Sequence, residues 1–272
     1  MKRGIHAIAF PFDLFGNAGT GAGASLLADI LREIIEDTEQ ETRPTRADAY
    51  RGRIEISEFA FETLSQISSW RETGTKAVRK CIKDHAFSLW LSGNHLGVLP
   101  VYETLGPGDL IIQFDAHLDL FNLHDTSDEL SHGNFLRHAE SLPKLVNLGH
   151  RNLLIAEKEI AKYYTETISA AELHANPVLA VKRLDPLIAS AKRVWIDLDC
   201  DAIDPAFCPA VHQRTPFGLA PLALLNIVES IWSDKIIGAS ISEFDPGRDV
   251  NEASLNLLGW WVEWLCLKAS ER

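Results

Sequence analysis

Short apolar runs alternate along the chain with longer segments in which apolar residues recur at helical spacing. Strands are predicted at residues 4–10, 53–61, 86–92, 110–116, 145–150, 193–199 and 236–244. Helices are predicted at residues 24–37, 62–84, 156–167, 220–234 and 252–270. Apolar strands that alternate with amphipathic helices are typical of a sheet covered on both faces, so we expect a three-layer α/β/α fold with a mostly parallel central sheet. Ligands of such sheets bind beyond the carboxyl ends of the strands.

The length and composition of the chain indicate one domain. A chain of 272 residues with 46% hydrophobic content suits a single large α/β domain over residues 1–272. The most linker-like segment, residues 38–53, is too short to divide two domains. The glycine-rich residues 16–24 lie too far beyond the end of the first strand for a dinucleotide-binding turn, so we expect a loop there instead.

The net charge argues against two classes of partner, and the cysteine spacing argues against two kinds of structural site. Asp and Glu outnumber Lys and Arg by 38 to 26, and the net charge of -12 disfavours nucleic acid and anionic membranes but suits a cationic ligand. No targeting segment or membrane-spanning apolar run is evident, so we expect a cytoplasmic protein. The cysteines lack the spacing of a thiolate zinc site or a disulfide framework, and free thiols are expected at Cys81, Cys200, Cys208 and Cys266.

Residues that bind metals follow several of the predicted strands. Asp115, His117 and Asp119 alternate, so that three such side chains emerge together from one strand end. Ionised carboxylates only accept hydrogen bonds, and burying them unpaired costs several kcal/mol. A bound dication removes that conflict, whereas the alternative is a structural polar network. Further candidates at strand ends or in the loops that follow are His95, His132 and Glu243.

The stretch VWIDLDCDAIDP, residues 194–205, adds four aspartates to this set. Asp197, Asp199 and Asp201 have period two, so on a strand they share one face and repel each other. Spacing alone allows either Asp197 with Asp199 or Asp199 with Asp201 as a pair of metal ligands. Two such carboxylate clusters suggest a shared two-metal centre. Its many oxygen ligands and two imidazoles favour Mn²⁺, with Fe²⁺, Co²⁺ and Ni²⁺ as alternatives.

Five segments of the chain resemble, in order, the signature segments of the ureohydrolase superfamily. They are GNH near residue 94, DAHLD at 115–119, SHGNFLR at 131–137, DCDAIDPAFCP at 199–209 and EFDP at 243–246. This superfamily comprises arginases, agmatinases and relatives, which hydrolyse guanidino or formimino groups at a binuclear manganese site. Residues 8–23 also resemble its first strand and loop, so the resemblance spans nearly the whole chain. It implies an arginase-like fold and a hydrolase that acts on C–N bonds in linear amidines.

The resemblance also implies a set of ligands for two Mn²⁺ ions per chain. In the family an Asp-Pro dipeptide follows the ligand pair, so Asp204-Pro205 would make Asp199 and Asp201 the ligands. Asp197 then stands where the family usually has serine. One ion would be held by His95, Asp115, Asp119 and Asp199, and the other by Asp115, His117, Asp199 and Asp201. Two ions so placed lower the pKa of a water molecule between them, and Asp119 would also orient the resulting hydroxide.

Two further residues resemble the catalytic groups of the family. Glu243 corresponds to the glutamate that pairs with the guanidinium and so fixes its carbon for attack. His132 corresponds to the histidine that passes a proton to the leaving amine, a role suited to a group that titrates near neutrality. The implied products are urea and an amine.

The segment around His95 departs from the family pattern. Asn94 replaces the usual aspartate before the metal-binding histidine, and Ser92 replaces a glycine. An asparagine can still orient its neighbours but supplies no charge, so we expect the support of this histidine to differ from that in the family.

The larger departure concerns the substrate. Phe121 and Leu130 stand where arginases grip the α-carboxylate of free arginine with asparagines, and Leu154 stands where an aspartate binds its α-amino group. Apolar side chains cannot offset the desolvation of a zwitterion, so we expect a guanidino substrate without that pair of charges. The apolar Phe121, Leu123 and Leu130 beside acids favour an arginine side chain within a peptide, which would become ornithine; the acids are Asp125, Asp128 and Glu129. Agmatine and free arginine are the alternatives.

Other functions remain open on the sequence alone. Hydrolysis of formiminoglutamate or guanidinobutyrate would need a basic group for the substrate carboxylate, and the candidates are His124, Arg137, Arg151 and Arg214. A metal-binding module of the same fold without catalysis is a further alternative. Because family members are commonly trimers or hexamers, we expect a homo-oligomer.

Overall fold

Eight parallel strands form the centre of the protein. The computed structural model describes residues 4–121, 128–152 and 155–271. The strands are β1 (Ile5–Phe10), β2 (Ile54–Glu58), β3 (Phe87–Ser92), β4 (Leu110–Phe114), β5 (Lys144–His150), β6 (Glu166–Ser169), β7 (Val194–Asp199) and β8 (Ile236–Ser242). Their order across the sheet is β2-β1-β3-β8-β7-β4-β5-β6, with every pairing parallel. All seven strands predicted from the apolar runs are confirmed.

Ten α-helices lie between or after the strands in the described part of the chain. They are α1 (Thr20–Gln40), α2 (Leu64–Ser68), α3 (Trp70–Lys83), α4 (Leu99–Thr104), α5 (Glu157–Ile160), α6 (Ala170–Ala175), α7 (Pro177–Lys182), α8 (Asp185–Ser190), α9 (Pro221–Ile231) and α10 (Ala253–Ser270). Short 3₁₀ helices cover Arg46–Ala49, His95–Val98, Phe135–His138, Cys200–Ala202 and Pro246–Arg248. None of these described helices combines the length and apolarity that crossing a bilayer requires.

Two of the predicted helices differ from the structure. The helix predicted at 156–167 is wrong, because only Glu157–Ile160 is helical and Glu166–Ser169 forms the edge strand β6 beside β5. Ile168 is the one buried residue of that strand, so hydrogen bonds to β5 outweigh the helical pattern of its side chains. The helix predicted at 62–84 is divided at Ser69 into α2 and α3.

Two apolar cores lie on opposite faces of the sheet. Alternate residues of β7 show the division, because Val194 and Ile196 pack in the core that includes α1, α9 and α10, while Trp195 packs in the core that includes α3 and α4. Each fully buried aliphatic side chain contributes roughly 1.5–3 kcal/mol to folding. By the same alternation, Asp197 and Asp199 face the side of Trp195 and α4.

The four central strands carry the candidate residues to one edge of the sheet. β3, β8, β7 and β4 are neighbours, and their carboxyl ends point the same way. His95 follows β3, Asp115 follows β4, Asp199 ends β7 and Glu243 follows β8. Side chains separated by up to 148 positions in the sequence therefore meet beyond this edge.

Candidate metal centre and active site

A buried group of carboxylates converges on one nitrogen of His95. Its Nδ1 lies 2.8 Å from Asp119 Oδ2 and 3.3 Å from both Asp115 Oδ2 and Asp199 Oδ2. His95 Nδ1 and Asp119 Oδ2 are close, yet neither atom has a hydrogen bond of acceptable geometry. Four buried side chains that direct lone pairs at one point form the environment that a metal cation satisfies.

A second group adjoins the first and shares Asp115 with it. His117 Nδ1 lies 2.9 Å from Asp201 Oδ2 and 3.6 Å from Asp115 Oδ1. The ligand atoms of Asp115, His117 and Asp201 lie within 4.8 Å of one another, as do those of His95, Asp115 and Asp119. Asp199 joins the two groups, because its Oδ2 faces His95 while its Oδ1 accepts the backbone N–H of Asp201 at 2.9 Å.

Burial and crowded negative charge shift the pKa values of several residues in the two groups. Burial and the charge of Asp115 raise the pKa of Asp119 to about 7. Burial, with the charges of Asp201 and Asp115, raises the pKa of Asp199 well above its usual range. Burial alone would lower the pKa of His117, but the same two aspartates outweigh it and raise that pKa to about 12. The donor set therefore fits the two dications that the resemblance implies, since such ions supply the charge that protons otherwise provide.

Glu243 is a buried carboxylate held next to the metal-binding groups. Its Oε1 accepts the backbone N–H of His95 at 2.8 Å and lies 3.2 Å from His132 Nδ1, while its Oε2 accepts Asn17 Nδ2 at 2.8 Å. Burial opposes its ionisation, but these hydrogen bonds and the charge of His132 keep the pKa of Glu243 below its ordinary value. Its φ of 65° is unfavourable for a residue other than glycine, so the surrounding contacts hold it in a strained conformation.

His132 and Glu243 stabilise each other's charge. Burial would lower the pKa of His132, yet the hydrogen bond and the charge of Glu243 raise it above the ordinary value. The backbone N–H of His132 donates to the carbonyl of Phe15 at 3.1 Å, so this loop is fixed to the one after β1. A Cβ on Gly16 would lie 2.7 Å from the His132 ring and 2.6 Å from Asn94 Nδ2, so only glycine allows this approach.

Asp197 lies on the other side of the His95 ring from the converging carboxylates. Its Oδ2 lies 2.8 Å from His95 Nε2 and accepts the Tyr102 hydroxyl at 2.6 Å, and its Oδ1 accepts the Ser240 hydroxyl. All of these atoms are buried. Asp199 Oδ2 therefore lies on the Nδ1 side of the ring and Asp197 Oδ2 on the Nε2 side, and the assignment of Asp199 and Asp201 as the ligand pair stays a prediction.

The pocket above the two groups has a wall of charged, apolar and carboxamide side chains. Its charged or titratable lining residues are His117, Asp119, His132, Asp199, Asp201 and Glu243. Its apolar wall includes Leu118, Phe121 and Ile155, and three carboxamides complete it, those of Asn17, Asn152 and Gln213. No lysine or arginine belongs to the lining within residues 4–121, 128–152 and 155–271.

The family of the chain follows from a match that covers almost all of it. The Arginase family model matches residues 3–265. The chain belongs to the arginase family. Over 176 residues it is 30% identical to a mitochondrial arginase of Medicago truncatula, covering 59% of this chain and 49% of that one. Over 183 residues it is 30% identical to an agmatinase of Halalkalibacterium halodurans, covering 64% of this chain and 61% of that one.

A solved structure shows the same fold. The arginase from Bacillus cereus superposes with a TM-score of 0.79 at 21% identity, covering 100% of this chain and 99% of that chain. The arginase-like fold expected from the signature segments is therefore confirmed. The matched segments span only about half to three fifths of the length of the two curated relatives.

Several residues singled out at the sequence level have other roles in this member of the arginase family. Asn94 Nδ2 donates to the carbonyl of Leu14 at 3.0 Å, and its buried Oδ1 has no partner among the described residues. Leu130 packs against the core that includes α3 and α4, whereas Phe121 does line the pocket. Four residues that also entered the substrate prediction lie outside the described residues: Leu123, His124, Asp125 and Leu154.

The remaining basic candidates are engaged in structural contacts. Arg137 lies over the Phe121 ring at 5.1 Å and pairs with Asp128 at 3.0 Å. Arg151 donates to the backbone carbonyls of Gly149, Asp201, Ala202 and Thr215 at 2.7 to 3.2 Å. Arg214 donates to the carbonyls of Pro209 and Arg248. These contacts hold the three arginine side chains against backbone carbonyls, Asp128 and the Phe121 ring.

Proposed function

We propose that this protein hydrolyses a guanidino group at two divalent metal ions, preferably Mn²⁺, and releases urea and an amine. The observation that carries the proposal is the buried Glu243 beside two ligand groups that share Asp115. The six residues that would hold the ions are His95, Asp115, His117, Asp119, Asp199 and Asp201. When bound, the ions would supply Lewis-acid charge and lower the pKa of a water molecule at the site.

Glu243 would bind and orient the substrate cation. An ionised carboxylate in a buried site forms charge-assisted hydrogen bonds with a guanidinium, which presents its N–H donors in a plane. The contacts from His95, His132 and Asn17 hold Glu243 in place before the substrate arrives. Such preorganisation fixes the guanidinium carbon over the metal-binding groups at little further entropic cost.

His132 would supply a proton to the departing amine. Its contact with Glu243 uses Nδ1, and the ring lines the same pocket. Because its pKa lies above the ordinary value, more of it is protonated at neutral pH than of a free histidine. A proton donor within the pocket makes the amine a better leaving group.

The favoured substrate is an arginine side chain within a peptide, which would become ornithine. A free amino acid brings a carboxylate that needs a cation, but the described pocket lining holds no lysine or arginine. Phe121 and Ile155 suit the apolar atoms of a chain, and the neutral side chains of Asn152 and Gln213 suit peptide groups. Agmatine is the second candidate, since it also lacks a carboxylate and the agmatinase of Halalkalibacterium halodurans is among the relatives.

A comparison of three substrates tests this choice. With Mn²⁺ present, urea release should be measured for free arginine, agmatine and an arginine-containing peptide blocked at both ends, with the same peptide carrying lysine as the control. We expect kcat/KM for the peptide to exceed that for free arginine by at least about 100-fold, because unpaired charges in a pocket without matching groups cost several kcal/mol. Preferential turnover of free arginine would refute the peptide assignment, and preferential turnover of agmatine would establish the second candidate.

A further inference from the structure

Asp197 contacts the nitrogen of the His95 ring that faces away from the metal-binding groups. A neutral imidazole carries one proton, and an ionised carboxylate can only accept a hydrogen bond. Asp197 Oδ2 lies 2.8 Å from His95 Nε2, and it accepts the Nε2 proton once a metal ion occupies the Nδ1 side, where Asp119 Oδ2 is equally close. The lone pair of Nδ1 is then directed at Asp119, Asp115 and Asp199, which lie 2.8 to 3.3 Å away.

We propose that Asp197 is a positioning residue that holds His95 in the orientation and tautomer needed to bind a metal ion through Nδ1. The inference rests on the proposed function, because it assumes that the group around His95 holds a metal. Among the described residues, Asp197 belongs neither to the pocket lining nor to the second group, so it would act through the histidine.

Buried hydrogen-bond donors hold the Asp197 carboxylate in place. The Tyr102 hydroxyl from α4 and the Ser240 hydroxyl from β8 donate to its two oxygens, and Trp195 Nε1 in turn donates to Ser240 Oγ at 3.0 Å. Every member of this network is buried. A fully satisfied buried network allows little rotation, so the carboxylate presents one rigid acceptor to the imidazole.

The negative charge of Asp197 has a consequence that a neutral acceptor would lack. A carboxylate on the far nitrogen of a metal-binding histidine makes the imidazole a stronger ligand. Asn94, the chain neighbour of His95, contributes no such charge and directs its Nδ2 at the Leu14 carbonyl. Asp197 is therefore the charged group that contacts the far nitrogen of this imidazole, whereas Glu243 contacts the backbone N–H of the same residue.

A purely structural role is the competing explanation, and metal affinity separates the two. Asp197→Asn keeps the size of the side chain and removes its charge, while Asp197→Ser retains a hydroxyl acceptor in a smaller side chain. Tyr102→Phe is the matched control, because it deletes a donor to the same carboxylate oxygen and leaves the contact with His95 intact. For each protein, Mn²⁺ binding is measured by titration calorimetry and the melting temperature is measured in chelator.

We expect both Asp197 variants to bind at least one Mn²⁺ about 10- to 100-fold more weakly than the wild type. Tyr102→Phe should lower the melting temperature in chelator while weakening Mn²⁺ binding less than either Asp197 variant. Wild-type affinity for two Mn²⁺ in a folded Asp197 variant, with only the melting temperature reduced, would overturn the inference in favour of a structural role. If one variant does not fold, the other carries the same prediction.

The readout separates this inference from the proposed function. A wild-type protein that binds two Mn²⁺ and loses affinity in the Asp197 variants supports the positioning role even if it releases no urea, in which case the proposed function alone fails. Conversely, urea release by the wild type with unchanged affinity in both variants refutes the positioning role alone. A wild type that binds no Mn²⁺ contradicts both.

Discussion

Replacing Asp115 by asparagine is expected to lower urea release by about 1,000-fold or more, because this carboxylate belongs to both ligand groups. Its two oxygens already accept Gln113 Nε2 at 2.8 Å and the backbone N–H of His117 at 2.6 Å, so its orientation is fixed. Asparagine has the same size but turns an NH₂ donor toward one side of the site, where a cation would lie. The measurement is urea release together with the number of metal ions bound per chain.

A second buried aspartate provides the control. Asp109, at the amino end of β4, is bound by Arg193 through both oxygens at 2.9 and 2.6 Å, far from the strand ends that carry the site. Asp109→Asn should destabilise the fold while leaving kcat per folded protein and bound metal unchanged. Two tightly bound ions and full activity in Asp115→Asn would contradict the shared role of this residue.

Replacing Glu243 by glutamine is expected to lower kcat/KM by about 100- to 1,000-fold while leaving metal binding intact. The glutamine removes the charge that attracts the guanidinium. It also presents a donor where Oε1 and Oε2 now accept hydrogen bonds from the His95 backbone, His132 and Asn17. Since Glu243 belongs to neither ligand group, the calorimetric stoichiometry for Mn²⁺ should equal that of the wild type.

Glu252 is a matched control for this substitution. It shares the left-handed backbone of Glu243, with φ of 57° against 65°, but it is exposed at the start of α10. Glu252→Gln should leave kcat/KM unchanged. Full activity in Glu243→Gln would refute its role in binding the substrate.

The central strands could be predicted because their sequences are nearly continuous apolar runs. β1, β3, β4 and β7 are buried at every position, as strands covered on both faces must be. The parallel arrangement places the residues after β3, β4, β7 and β8 at one edge of the sheet, and the strand order, which was not predicted, makes them neighbours. β6 was not predicted, because it is four residues long, lies at the sheet edge and buries only Ile168.

The different contacts of Asp197 and Asp199 could not be predicted from their spacing. Asp197 and Asp199 occupy equivalent positions on one face of β7, and only their neighbours differ. The partners of Asp197 come from Tyr102 and Ser240, 95 and 43 residues away in the sequence. Asn17, which holds Glu243 from 226 residues away, was missed for the same reason. The adjacent glycine was the available signal, because Gly16 closely approaches His132 and Asn94 in the structure.

The most direct test is urea release from a guanidino substrate by chelator-stripped wild-type protein as Mn²⁺ is added back. We expect almost no urea without metal, and activity that rises until two ions are bound per chain and then stays constant. Activity that persists in chelator, or no urea from arginine, agmatine or an arginine-containing peptide with two ions bound, would contradict a binuclear guanidino hydrolase.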